Sequence, residues 1–350
     1  MKNYPRKHLK SATQFFSFAV VLLEVTALLA QSSSVNRELK LYSESAELMG
    51  VKFSIALYAP TEKVAQDACR RAFMRISEIE GKLSNYQADS EITLLCQAKG
   101  AVKVSDDLWF VLKESLSYWQ MSDGAFDVAI GRLTRLWRRA RRQQEFPERA
   151  RIRQELRFVG SHQLELDDDA QTVEILKSGV LIDLGAIGKG FAADEALQVL
   201  RNHGLGSAVI DASGDVLFGD PPPGKDGWPA AVGSFPPGPE PTYLKPLSNV
   251  ALATSGDAFQ YLEYDGTRYS HIVDPRTGIP LKGRSSVSVL AASGLQSDAL
   301  ASAVSVLGAR KGVALIKELA KTEVYMAYQR SSGRPIEIYS TVGFPLKSKK

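Results

Sequence analysis

Along residues 51–58 apolar and polar positions partly alternate, as Val-Lys-Phe-Ser-Ile-Ala-Leu-Tyr, and the run stops at Pro60. A period near two predicts a strand. Thr61 then stands where a helix N-cap belongs. Ala65, Ala68, Ala72, Phe73, Ile76 and Ile79 follow near helical spacing, to about Lys82. Residues 106–120 predict a second helix, with Leu108, Val111, Leu112, Leu116 and Trp119 on one side. Ser122-Asp123-Gly124 ends it as a turn. Residues 180–184 read as a short apolar strand and 191–202 as a helix with Ala193, Leu197 and Leu200 inward. Strands at 208–211 and 285–292 and a helix at 297–307 follow, with no solenoid-type repeat. Strands and helices mix without strict alternation. This predicts an α+β fold with packed helices and a mixed, largely antiparallel sheet.

Composition changes this picture little. The chain has 350 residues, 44% hydrophobic and 23% charged, which suits a soluble globular protein. A net charge of +4 does not single out a nucleic-acid binder. The N-terminus differs from the rest. Lys2, Arg6, Lys7 and Lys10 precede an apolar run over 15–30, and polar Gln31-Ser-Ser-Ser follows Ala30. This is the layout of a secretory signal over 1–30, interrupted by Glu24, ahead of one domain over 31–350. It predicts export, to the periplasm or the outer face of the cytoplasmic membrane. Retention of the run as an anchor would associate the protein with the inner membrane. No Cys follows the run, so a lipid anchor on Cys is not supported. Cys69 and Cys96 allow one disulfide, or two separate buried thiols.

Two further segments stand out. Residues 132–157 are rich in arginine, around Trp137-Arg-Arg-Ala-Arg-Arg-Gln. Glu145, Glu148 and Glu155 dilute the run and no nucleic-acid fold surrounds it, so it reads as a solvated helical insertion, with no nucleic-acid partner. Residues 220–240 hold many of the prolines and glycines and read as a surface excursion.

Four segments carry candidate chemistry. In Asp183-Leu-Gly-Ala-Ile-Gly-Lys-Gly190 a strand enters, glycines turn it and a helix leaves. Such a corner offers free N–H groups and a positive helix end to phosphate, and Lys189 adds a charge. The glycine spacing and Gly190 after the lysine exclude a Walker loop and the dinucleotide fingerprint. A tight turn with a surface lysine reads the same. Asp298 and Ser302 share a helix face one turn apart, an oxygen pair suited to magnesium, or a helix-end carboxylate and a small packing residue. Thr254-Ser-Gly256 precedes Tyr269-Ser-His-Ile-Val-Asp-Pro-Arg-Thr-Gly278, where a turn follows His271. His271 reads equally as a general base and as a structural histidine. Gly124-Ala-Phe-Asp127 offers an aromatic and a carboxylate at a turn, for a flavin or adenine pocket or for core and capping.

Taken in order, these segments resemble the ApbE family, the FAD:protein FMN transferases. Met49-Gly50, Leu83-Ser-Asn-Tyr86 with Asp89-Ser-Glu-Ile, and Trp137 after Gly124-Ala-Phe-Asp127 extend the likeness over most of the chain after the signal. The departures are Val51 for a Thr, Ser302 for a Thr and Asp211-Ala-Ser-Gly214-Asp215 for a Gly-Gly-Asp element. The resemblance implies an ApbE-like (T-fold-like) domain in which Met49, Tyr86, Ala125, Phe126, Asp127, Asp183, Lys189 and Ile272 line an FAD site. It implies Mg2+ on the carbonyls of Ala186 and Ala301 and the side chains of Asp298 and Ser302. FMN would pass from FAD to a threonine of an exported acceptor flavoprotein, an electron-transport subunit, with His271 as base and AMP released. Transfer to water, as an FAD pyrophosphatase, or flavin carriage without turnover are the alternatives.

Overall fold

A computed structural model describes residues 39–233, 241–256, 260–331 and 333–347. The expected 1–30 signal and positions 234–240 of the Pro/Gly-rich loop lie outside them.

The fold is built on an eight-stranded sheet in which every neighbouring pair is antiparallel. Its order is Lys40–Leu48, Val51–Ala59, Ala208–Ala212, Asp215–Phe218, Val250–Gly256, Arg284–Ala291, Glu323–Gln329 and Glu337–Ser340. Alternation sorts its side chains onto two faces. Phe53, Ile55, Leu57, Ile210, Leu217, Val287 and Val289 point into the main core. The helices Glu62–Leu83, Gly188–Asn202 and Gly294–Lys317 supply the other side of that core. Val209, Phe218, Leu252 and Tyr325 point the other way, against Trp228, Leu244 and Phe344. The α+β, antiparallel expectation holds.

Local signals explain the element ends. The Thr61 hydroxyl accepts from the Val64 N–H at 3.3 Å and caps the Glu62 helix as expected. The Ser105 and Ser293 hydroxyls do the same for the helices Asp106–Met121 and Gly294–Lys317. Asp265 and Gly266 both have positive φ between Tyr264 and Thr267, the two-residue turn that matches strand twist.

Three expectations need correction. Residues 180–184 form no ladder strand. They run extended against an irregular segment, with Gly131 N–H donating to the Leu181 carbonyl and Asp183 N–H to the Val128 carbonyl, both at 2.8 Å. The arginine-rich segment is helical as expected, but it is not solvated all round. It forms the helices Gly131–Gln143 and Arg149–Leu156, whose inner faces bury Leu133, Trp137, Ala140 and Ile152 against Leu262 and Val273. Nor is the described part of the 220–240 loop a plain surface excursion. Trp228 is buried in the second core, and its indole N–H donates to the Asp220 carbonyl at 2.8 Å. The two cysteines are free thiols, and burial pushes the Cys69 thiol up to about 12.

Candidate active site

Two helices meet at a pair of glycines. A Cβ on Gly190 would fall on the Gly294 carbonyl, and one on Gly294 would fall on the Gly190 carbonyl, so only glycine permits this approach. Asp194 fixes the contact from below. Its two carboxylate oxygens accept from the Gly294 and Leu295 N–H groups at 2.7 and 2.9 Å, at the positive end of the Gly294–Lys317 helix. This crossing sets Asp298 above the start of the other helix, where the Gly190 N–H donates to its Oδ2 at 3.3 Å.

Around that point the buried groups are charged. The Lys189 ammonium pairs with Asp215 Oδ2 and lies 3.6 Å from Asp298 Oδ2. The other Asp215 oxygen accepts from the Thr254 N–H at 3.3 Å. Two buried carboxylates thus face one ammonium. Burial pushes the Asp298 carboxyl up to about 7, with Lys189 opposing and Asp215 adding to the rise. Burial also works against the Lys189 charge, but Asp215 and Asp298 outweigh it and its pKa is raised. The Ser302 hydroxyl stands 3.4 Å from the Ser255 hydroxyl, which brings the Thr254-Ser-Gly256 segment to the same helix. Asp215 is the hub, a residue that the sequence placed in a motif but gave no role in the site. Its signal was its place at the end of the Asp211-to-Asp215 turn, where Ser213 and Gly214 both take positive φ.

Among the described residues no group of three or more His, Cys, Asp or Glu could hold a metal ion. The donor set suits magnesium all the same, because that ion is held by one or two carboxylates with waters and substrate phosphate. Asp298 and the Ser302 hydroxyl, four residues apart on one helix, offer oxygen only, and Asp298 shares the Lys189 ammonium with Asp215. The Ala301 carbonyl accepts from the Ser305 hydroxyl at 2.7 Å within the helix.

A second group gathers on Asp183, which is buried. Its Oδ2 accepts from the Thr134 hydroxyl at 2.6 Å and the Arg138 guanidinium at 2.7 Å, and its Oδ1 from the Gly185 N–H at 3.0 Å. The Arg138 guanidinium carbon lies 4.7 Å over the Tyr86 ring, which is otherwise 77% exposed. Arg141 sits beside both. Burial, and next the Arg138 charge, lower its pKa. The arginine-rich helix therefore joins Tyr86 to Asp183, a role the sequence reading did not give it. The same helix reaches the His271 segment, because the Trp137 indole N–H donates to the Gly278 carbonyl at 2.9 Å. Trp137 also stacks on Tyr269, with ring centres 6.3 Å apart.

The remaining sequence candidates fall around these two groups. Met49 occupies a left-handed hairpin position, φ 52°, with its methyl 3.5 Å from where a Gly188 Cβ would be. Ala125, Phe126 and Asp127 are buried, and their segment meets Asp183 through the Val128 carbonyl. The Asp127 carboxylate itself turns inward, accepting from Ser161 Oγ at 2.7 Å, Ala129 N–H at 2.8 Å and Ser161 N–H at 3.1 Å. Burial raises its pKa against those bonds. His271 and Ile272 lie on the strand Thr267–Val273, where pairing with Pro280–Lys282 shifts register between Tyr269 and Val273. Such a bulge re-aims side chains. That strand packs against the helix bearing Asp298.

The ApbE family matches residues 49–326. The FAD:protein FMN transferase of Klebsiella pneumoniae is 31% identical over 80% of this chain and 86% of its own. That of Treponema pallidum is 31% identical over 79% and 82%. Among solved structures, the ApbE protein of Thermotoga maritima superposes with TM-score 0.74 at 29% identity, covering 86% of this chain and 97% of that one. A mutant of the Vibrio cholerae flavin transferase ApbE superposes with TM-score 0.77 at 25% identity, covering 87% and 98%. Over this span of sequence and fold, the chain belongs to the ApbE family.

Proposed function

We propose that this protein transfers the FMN half of FAD to a hydroxyl side chain of another protein, a threonine of an exported electron-transport subunit, and releases AMP. The observation that carries this reading is the Lys189–Asp215–Asp298 cluster. A partly buried ammonium shared by two buried carboxylates is suited to a diphosphate bound with a divalent metal.

Asp298, Ser302 and the Ala186 carbonyl are the residues for magnesium. Bound there, it would neutralise charge developing on the diphosphate. Lys189 holds a phosphate oxygen by charge and hydrogen bond. Tyr86 offers a ring face, and Asp183 an oriented carboxylate, to the ends of the FAD molecule. His271 accepts the proton of the acceptor hydroxyl as its oxygen bonds to the FMN phosphorus. The bond from that phosphorus to the bridging oxygen breaks, and AMP leaves with that oxygen. A phosphodiester to FMN remains on the acceptor. The basic-then-apolar N-terminus over 1–30 supports an export route and an acceptor outside the cytoplasm.

The test is to incubate the mature chain with FAD, magnesium and a threonine-bearing acceptor, then denature. Flavin fluorescence should stay with the acceptor. Free FMN and AMP with no labelled acceptor would instead favour hydrolysis, and FAD binding without AMP would favour carriage.

A further inference from the structure

The arginine-rich segment has a second row that the site does not use. On the helix Gly131–Gln143, Thr134, Arg138 and Arg141 face Asp183 and Tyr86. Arg135, Arg139 and Arg142 follow each of them by one residue, which turns them about 100° around the helix. All three are exposed. Among the described residues none of them pairs with a carboxylate; Arg139 bonds only the Gln143 side chain, at 2.9 Å. Arg149 and Arg153 extend the exposed charge onto the next helix, also without carboxylate partners.

The charge is concentrated here. Residues 131–157 hold ten arginines against three glutamates, a net of +7, while the rest of the chain sums to −3. Exposed like charges on one helix repel at one-turn spacing, so this row is not there for the helix's own stability. It adjoins the face that meets Tyr86 and Asp183, and what must approach that face during flavin transfer is a protein.

We propose that the exposed row Arg135, Arg139 and Arg142 docks an acidic segment of the acceptor protein, beside the hydroxyl that receives FMN. The proposal rests on the flavin-transfer reading. Docking at a rim by charge speeds encounter and fixes orientation, and it weakens with salt.

The test uses the full chain and three synthetic peptides with one threonine-bearing core, flanked by aspartates, by neutral residues or by lysines. Peptide binding is followed by fluorescence anisotropy, and FMN transfer from FAD by covalent flavin. The acidic peptide should bind roughly tenfold tighter than the neutral one at low salt, as two or three exposed ion pairs allow. That advantage should vanish towards 1 M salt. The triple variant Arg135→Glu, Arg139→Glu, Arg142→Glu should reverse the preference towards the lysine peptide, while its KM for FAD stays within about twofold. Equal binding of the three peptides, or an unchanged preference in the triple variant, overturns the proposal. So does a row that binds anionic vesicles or RNA but not the acidic peptide. Charge-selective binding with no covalent flavin on any peptide would retain the docking surface and count against the transfer reading.

Discussion

The Arg138 guanidinium donates to Asp183 at 2.7 Å while its carbon lies 4.7 Å over the Tyr86 ring, so one side chain holds two residues of the candidate flavin site. A charge-assisted hydrogen bond contributes about 1.5–3 kcal/mol, and an exposed cation–π contact about 0.5–1 kcal/mol. Arg138→Ala should therefore raise KM for FAD by about tenfold or more, with a smaller change in kcat. Arg138→Lys keeps the charge but not the planar stack, and should recover part of the loss. Steady-state kinetics with FAD varied separates these outcomes.

In the proposed reaction His271 would accept the proton of the acceptor hydroxyl. His271→Ala should lower kcat by about 10²–10⁴-fold, the range for loss of a general base. FAD affinity, read by quenching of flavin fluorescence, should change little. A variant that loses FAD binding in step with kcat would make His271 a binding residue instead.

Gly190 and Gly294 touch backbone to backbone, and that contact sets where Asp298 stands. Gly190→Ala forces the helices apart and should destabilise the fold by about 1–3 kcal/mol. Gly204→Ala is a poorer comparison because of its positive φ, whereas Gly81 lies in a helix with open space beside it. Gly81→Ala should leave the melting temperature unchanged or raise it. Transfer activity should fall in the Gly190 variant and persist in the Gly81 variant.

Burial pushes the Asp298 carboxyl up to about 7 in the folded protein, against about 3.9 in an unfolded chain. Between those values the folded state holds a proton that the unfolded state has released. This group's contribution to stability is therefore lost as pH rises from about 4 to about 7. On the proposed reading magnesium would bind the carboxylate form, so it should raise the melting temperature more at pH 8 than at pH 5.5. Thermal melts with and without magnesium at the two values measure this. In Asp298→Asn the pH dependence of the magnesium effect should disappear.

Three strands of the main sheet, at 51–58, 208–211 and 285–292, and its three core helices were readable, because period-two and period-3.6 apolar patterns and the Thr61 cap are local signals; Lys40–Leu48, Asp215–Phe218, Val250–Gly256, Glu323–Gln329 and Glu337–Ser340 were not read as strands. The glycine–lysine corner and the Asp298–Ser302 pair were readable for the same reason, since their members lie within one turn of each other. Arg138 was not. Its partners stand 52 positions earlier and 45 later, and its helix is so charged that the buried Leu133, Trp137 and Ala140 are masked in any composition window. Asp215 was visible as a motif residue, but its pairing with Lys189 depends on the meeting of the Gly188 helix with a strand hairpin. Residues 180–184 looked like a strand because apolarity alone does not say whether a ladder partner exists.

The central claim is that the bridging bond of FAD is broken by a protein hydroxyl, and stoichiometry tests it most directly. AMP released and flavin fixed to a threonine-bearing acceptor should be measured in the same tube, with magnesium, for the unaltered chain and for Asp298→Ala. The account predicts one covalent flavin per AMP with the unaltered chain, and neither product with the variant. AMP without acceptor-bound flavin, or equal yields from Asp298→Ala, would contradict it.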